Sequence, residues 1–201
     1  MNFLAHIYLS GNNKNVTLGN FIADSIKGKK YQNFPKDIQT GILLHRAIDS
    51  YTDAHPVFKQ STKRLHKKYS HFSGVIVDIF YDHFLAKNWS NYSRTDLSLY
   101  TENFYASLET HYNILPNRIQ KMIPYMLADN WLVSYASKEG IGRALEGMNR
   151  RTKNRVHMDE AINELDQFYE AFENEFTLFF EELMAFSEKK LQELKNRYYQ
   201  E

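Results

Sequence analysis

Apolar residues recur at every third or fourth position through most of this 201-residue chain, the period of amphipathic helices rather than of half-buried strands. Helices are predicted over 17–27, 35–55, 57–69, 73–89, 95–113, 116–137, 138–151 and 158–199, behind a short apolar opening. Pro35 suits a first turn and Pro56 follows the end of the second segment, as helix punctuation should. The stretch "SGVIVDIFYDHFLAKNW" (73–89) is apolar on every side. Its β-branched start resembles a buried strand, but no turn signal interrupts it, and its length favours a buried helix. In the last segment Phe168, Phe172, Phe176 and Phe179 are spaced by three and four, a stripe that belongs in a core.

Composition agrees with that pattern. Eight glycines and four prolines leave room for short turns and little else. No linker splits the chain, so one all-α, single-domain helical bundle is expected over 1–201. With no cysteine, disulfides and thiolate chemistry are excluded, and any metal must be held by His, Asp and Glu. The start "MNFLAHIYLS" lacks the pattern of a signal peptide, and no run of about 18 uncharged apolar residues occurs. A cytoplasmic protein with no membrane partner is expected.

The net charge of +1 conceals two unlike segments. Residues 1–158 carry 21 Lys and Arg against 12 Asp and Glu, while residues 159–201 carry 4 against 12. Basic residues cluster in "KGKK" (27–30), "KRLHKK" (63–68) and "RRTKNR" (150–155). Such clusters are either solvated helix faces or a surface that draws an acidic macromolecule or a phosphate.

Titratable residues interrupt the apolar pattern where a core has no use for them. On the segment 35–55, Asp49 lies ~40° and Asp53 ~80° round the helix from His45, so the three share one edge. Asp78 and Asp82 are four apart among Val75, Ile79, Tyr81 and Leu85, with His83 next. Asp24 sits in "GNFIAD" and His6 in "FLAHIYL". Singly, each has an ordinary reading: a core histidine is usually hydrogen-bonded, and Asp49 or Asp53 can pair with Arg46. Together they are too many acids for one arginine, and a divalent cation is the economical partner. Mixed carboxylate and imidazole donors without sulfur suit Mn²⁺, Mg²⁺ or Fe²⁺, with Zn²⁺ less favoured by so many oxygens. His66, His71, His111 and His157 stand in polar surroundings, as surface residues do.

The motifs "MNFLAHIYLS", "GNFIAD", "GILLHRAIDSYTDAHP", "DIFYDHFLAKNW", "NWLVSY" and "RALEGMNRR" resemble, in order and spacing, the acyl carrier protein phosphodiesterase family. That family is regarded as a divergent, all-helical relative of the HD metal-dependent phosphohydrolases. The resemblance implies a Mn²⁺-dependent hydrolase that removes the 4′-phosphopantetheine group from holo acyl carrier protein, with that acidic protein as its partner and no nucleic acid. It carries over Asp24, His45, Asp49, Asp53, His55, Asp78, Asp82 and His83 as site residues. With His6 and Arg46 added from their surroundings, the expected metal ligands are Asp24, His45, Asp49, Asp78, Asp82 and His6. Arg46, His55, His83 and Asp53 are the expected catalytic groups, with His55 or His83 as general acid and Arg46 steadying charge. No adjacent His-Asp pair occurs in the chain, so the motif that names the HD class is missing. Two alternatives share these residues: a phosphohydrolase of nucleotides or another small phosphodiester, and a non-catalytic helical adaptor with a structural ion.

Overall fold

The computed structural model describes residues 1–199; residues 200 and 201 of the expected domain lie outside the described residues. The chain is all-α, and no strand occurs among the described residues. Its helices are α1 (Phe3–Tyr8), α2 (Lys14–Ile22), α3 (Lys36–Ala54), α4 (Pro56–Tyr69), α5 (Ser73–Lys87), α6 (Leu97–Thr110), α7 (Asn117–Ala128), α8 (Trp131–Ser134), α9 (Lys138–Arg151), α10 (Ala161–Gln167) and α11 (Tyr169–Tyr199).

Helix α5 is the axis. Every residue from Ile79 to Ala86 is buried, as an all-round apolar helix requires. Helix α11 lays its aromatic stripe against it, with Phe80 and Phe172 ring centres 5.2 Å apart and Tyr81 and Phe176 5.6 Å apart. Phe172, Phe176 and Phe179 are fully buried, whereas Phe168 is half-buried and packs under the Arg64 guanidinium at 5.5 Å.

Two glycines bring α2 and α3 into near contact. A Cβ on Gly19 would lie 2.1 Å from the Ile38 carbonyl oxygen, and one on Gly41 would lie 2.0 Å from that of Val16. Only glycine allows this approach. It sets the turn after α2 against the side chain of His45.

Several boundaries differ from expectation. The apolar opening is itself helical, as α1. Helix α2 starts earlier than 17 because Asn13 caps it, its Oδ1 accepting from the Asn15 and Val16 amides at 2.9 and 3.2 Å. It ends at Ile22, where a 3-10 turn (Ala23–Ser25) carries Asp24 away from the core. The segment 116–137 breaks at Asn130, which adopts φ 42°, and the Tyr105 hydroxyl accepts from the Leu132 amide at 3.2 Å. The segment 158–199 divides at Phe168 into α10 and α11.

Candidate active site

The corner where α1, α2 and α3 meet gathers four of the expected metal ligands. His45 Nε2 lies 3.2 Å from Asp24 Oδ1 and 3.1 Å from Asp49 Oδ2. His6 Nε2 lies 3.2 Å from Asp49 Oδ1, and the His6 and His45 rings stack with centres 3.9 Å apart. One donor atom from each of His6, His45 and Asp49 falls within 4.8 Å of the others, a spacing that one metal ion can span. The histidines are buried, while the Asp24 side chain is 67% exposed and that of Asp49 41% exposed. The cluster is therefore closed at its imidazoles and open at its carboxylates.

The orientation of His45 comes from Asn20, a buried residue not among the expected site residues. The Asn20 amide nitrogen donates to the His6 carbonyl oxygen and to Ser10 Oγ, each at 2.9 Å, which leaves its Oδ1 as an acceptor 3.1 Å from His45 Nδ1. His45 must therefore carry a proton on Nδ1 and turn Nε2 toward the acids. Burial opposes charge on this ring, but Asp24 and Asp49 outweigh it and push its pKa up to about 9. The two carboxyls move the other way. Asp24 is held below its usual range chiefly by its hydrogen bond with His45, and Asp49, despite burial, by His45 and His6.

His6 is the misfit in this arrangement. Burial and the neighbouring His45 push its pKa down to about 4, so its ring is neutral. Neither ring nitrogen has a hydrogen-bond partner, although Nε2 is within ion-pair distance of Asp49. Orphaned polar atoms of this kind are costly in a core. A neutral imidazole and a second Nε2 beside two ionised carboxylates form a donor set that fits a divalent cation.

The remaining expected site residues lie elsewhere or are otherwise engaged. Asp78 Oδ1 is 2.9 Å from the Met1 α-ammonium, which also lies 3.9 Å from Asp49 Oδ1. Burial pushes the Asp78 carboxyl up. The fully buried Asp82 caps α1 from outside that helix, accepting from the Leu4 amide at 2.7 Å and the Ala5 amide at 3.1 Å. Burial outweighs those two bonds and pushes its pKa up to about 7. Asp53 is exposed one turn beyond Asp49, close enough to Asp78 to act on its charge. Arg46 donates to the carbonyls of Ile26 and Gly28 at 2.8 and 2.9 Å and packs on Tyr31, so it clamps the basic loop 27–30 next to Asp24.

His55 and His83 are not brought to this corner. His55 accepts from the Val57 amide through Nδ1 and pairs with Glu182 at 3.2 Å through Nε2. His83 donates from Nδ1 to the Tyr135 carbonyl at 2.8 Å and meets the Tyr169 hydroxyl at 2.7 Å through Nε2. Both rings are fully engaged.

Among the described residues no helix is long and apolar enough to cross a membrane. The chain matches a family model described as acyl carrier protein phosphodiesterase over residues 1–183. It is similar to the acyl carrier protein phosphodiesterases of Photorhabdus laumondii, at 30% identity over 94% of this chain and 96% of that protein, and Yersinia enterocolitica, at 29% over 94% and 99%. Similarity to that of Escherichia coli (strain K12 / DH10B) is 32% over 94% of this chain and 99% of that protein. No solved structure matches the chain, HD phosphohydrolases included. The family match and these full-length relatives agree with the motifs at the α1–α2–α3 corner, and the chain belongs to the acyl carrier protein phosphodiesterase family.

Proposed function

We propose that this chain is a metal-dependent phosphodiesterase that hydrolyses the bond holding the 4′-phosphopantetheine group on acyl carrier protein. The observation that carries this reading is the convergence of His6, His45, Asp49 and Asp24 at an opening, in a chain of this family. Water adds to phosphorus, the phosphorus–oxygen bond to the carrier's serine breaks, and the serine oxygen regains a proton. The products are apo carrier protein and free phosphopantetheine. The whole of residues 1–201 is read as one phosphodiesterase domain, working in the cytoplasm.

His6, His45, Asp49 and Asp24 are the groups that would hold the cation, and their oxygen and nitrogen donors favour Mn²⁺, with Mg²⁺ or Fe²⁺ next. Once bound, the cation would neutralise phosphoryl charge and make water acidic enough to attack at neutral pH. Asn20 holds the His45 proton on Nδ1, so Nε2 is the nitrogen that would take the cation, in exchange for the proton that Asp24 and Asp49 stabilise there. Asp53, exposed beside the cluster, is the carboxylate assigned to take a proton from the attacking water. Arg46 acts through the loop it clamps, holding Lys27, Lys29 and Lys30 where an approaching anion meets them. In this reading Asp78 and Asp82 are supports rather than ligands, and His55 and His83 take no proton role.

The test is to incubate the chelated enzyme with holo acyl carrier protein, with and without Mn²⁺, and weigh the carrier by intact mass spectrometry. Loss of the phosphopantetheine mass only with Mn²⁺ is expected. An unchanged carrier in both arms contradicts the reading, and loss in both arms contradicts its metal dependence.

A further inference from the structure

A second concave feature lies on the side of the molecule formed by α7, α8 and α9. It is an open groove of about 650 Å³ whose walls include Arg118, Lys121 and Tyr125 from α7, Trp131 from α8, and Arg150 and Arg151 from α9. A smaller cavity of about 160 Å³ continues from it, sharing Trp131, Arg150 and Arg151 and ending on Asn2, Phe3 and Ile79. Two of these residues adjoin, in sequence, the ion pair that flanks the cluster: Asn2 follows Met1, whose α-ammonium lies 2.9 Å from Asp78 Oδ1 and 3.9 Å from Asp49 Oδ1, and Ile79 follows Asp78.

The charges of this groove are poorly answered from within the chain. Among the described residues Arg118, Lys121 and Arg151 form no ion pair, and Arg150 reaches only Glu146 of its own helix at 3.2 Å. Arg151 is in fact pressed by its neighbours, since burial and the charge of Arg118 push its pKa down. Asp129 is the one acid in the wall of the open groove. The cluster at 63–68 differs: Arg64 is bound to Glu175 by two bonds of 2.8 and 2.7 Å, and Lys68 reaches Glu160 and Glu164 at 3.1 and 2.9 Å. Those acids engage much of that cluster, whereas the groove retains its positive charge for something outside the chain.

We propose that the groove between α7 and α9 is the docking surface for the acidic substrate protein, whose surface carboxylates lie across Arg118, Lys121, Arg150 and Arg151. This rests on the reading given under Proposed function. Cations spread over two helices and an open floor fit several carboxylates on a protein surface better than one small anion. Tyr125, 67% exposed, and Trp131 offer the aromatic contacts that anchor such interfaces.

The experiment uses the full chain with Arg118→Glu and Lys121→Glu combined, since neither side chain has an ion pair to lose. Binding of apo acyl carrier protein is measured by calorimetric titration, and turnover is followed on holo acyl carrier protein and on bis(p-nitrophenyl) phosphate. Affinity for the carrier and kcat/KM on it should each fall by about 10-fold or more, with KM rising and hydrolysis of the small diester unchanged. Unchanged carrier affinity overturns the proposal, as does equal loss on both substrates. If the double variant melts markedly below the wild type, Arg118→Gln with Lys121→Gln replaces it and the same outcomes apply. A wild type that binds the carrier in this groove but does not cleave it would refute the proposed function and leave the docking surface standing.

Discussion

Two regions of this molecule set titratable residues into the apolar pattern of their helices, and they end in opposite states. Around α4, α5 and α11, Glu175 is locked by Arg64, Gln60 and Ser61, and His83 is closed between the Tyr135 carbonyl and the Tyr169 hydroxyl. At the α1–α2–α3 corner His6 has no hydrogen-bond partner, His45 faces two acids with one nitrogen, and Asp24 opens to solvent. A titratable residue in an apolar pattern thus says little by itself. What separates chemistry from architecture is whether its polar atoms are answered by the chain.

The largest break in that contrast should come at Asp49. Asp49→Ala removes the carboxylate shared by both imidazoles and should lower kcat/KM on holo acyl carrier protein by about 10³-fold or more, with the helical circular dichroism intact. A variant within tenfold of wild type would take Asp49 out of the site.

Next in size is Gly41→Ala. Its Cβ would press on the Val16 carbonyl at 2.0 Å and the Asn20 amide at 2.6 Å, forcing α2 from α3. A loss of about 3 kcal/mol in denaturant unfolding is expected, together with a fall in turnover. An undiminished midpoint would mean that the close crossing is not needed.

Asn20→Ala should be milder. It frees the His45 Nδ1 proton and should weaken metal affinity and turnover by about 10–100-fold. Equilibrium dialysis of Mn²⁺ against both proteins measures it, and equal affinity removes Asn20 from the site.

These predictions mark how much could be read in advance. The helices were legible because their apolar period is local, and the His45–Asp49 pair because a spacing of four puts both on one helix edge. Partners distant in sequence were not. Nothing in "DIFYDH" says that Asp82 caps a helix 78 residues earlier in the chain, or that His83 meets a tyrosine 86 residues later. Asn20 stands within the "GNFIAD" motif but carries no titratable group, so its residue type does not mark it as part of a metal site. The helix breaks at Asn130 and Phe168 are not local signals either: the apolar period runs on through both, and at Asn130 the Tyr105 hydroxyl holds the Leu132 amide across the break.

The smallest effect on catalysis should come from the closed region. His83→Phe leaves the Tyr135 carbonyl and the Tyr169 hydroxyl without their partner and should cost about 1–3 kcal/mol of stability, with kcat within about twofold of wild type. A fall of about 100-fold in kcat without loss of stability would return His83 to the catalytic set as a general acid.

The central claim, that the α1–α2–α3 corner is a divalent metal site and the α5–α11 side is not, is tested most directly by titrating Mn²⁺ into chelated protein and counting bound ion by electron paramagnetic resonance. Wild type and His83→Phe should bind with the same affinity, while His45→Ala and Asp49→Ala should lose the site. Wild-type binding that survives in both His45→Ala and Asp49→Ala, or no binding in any protein, would contradict the account.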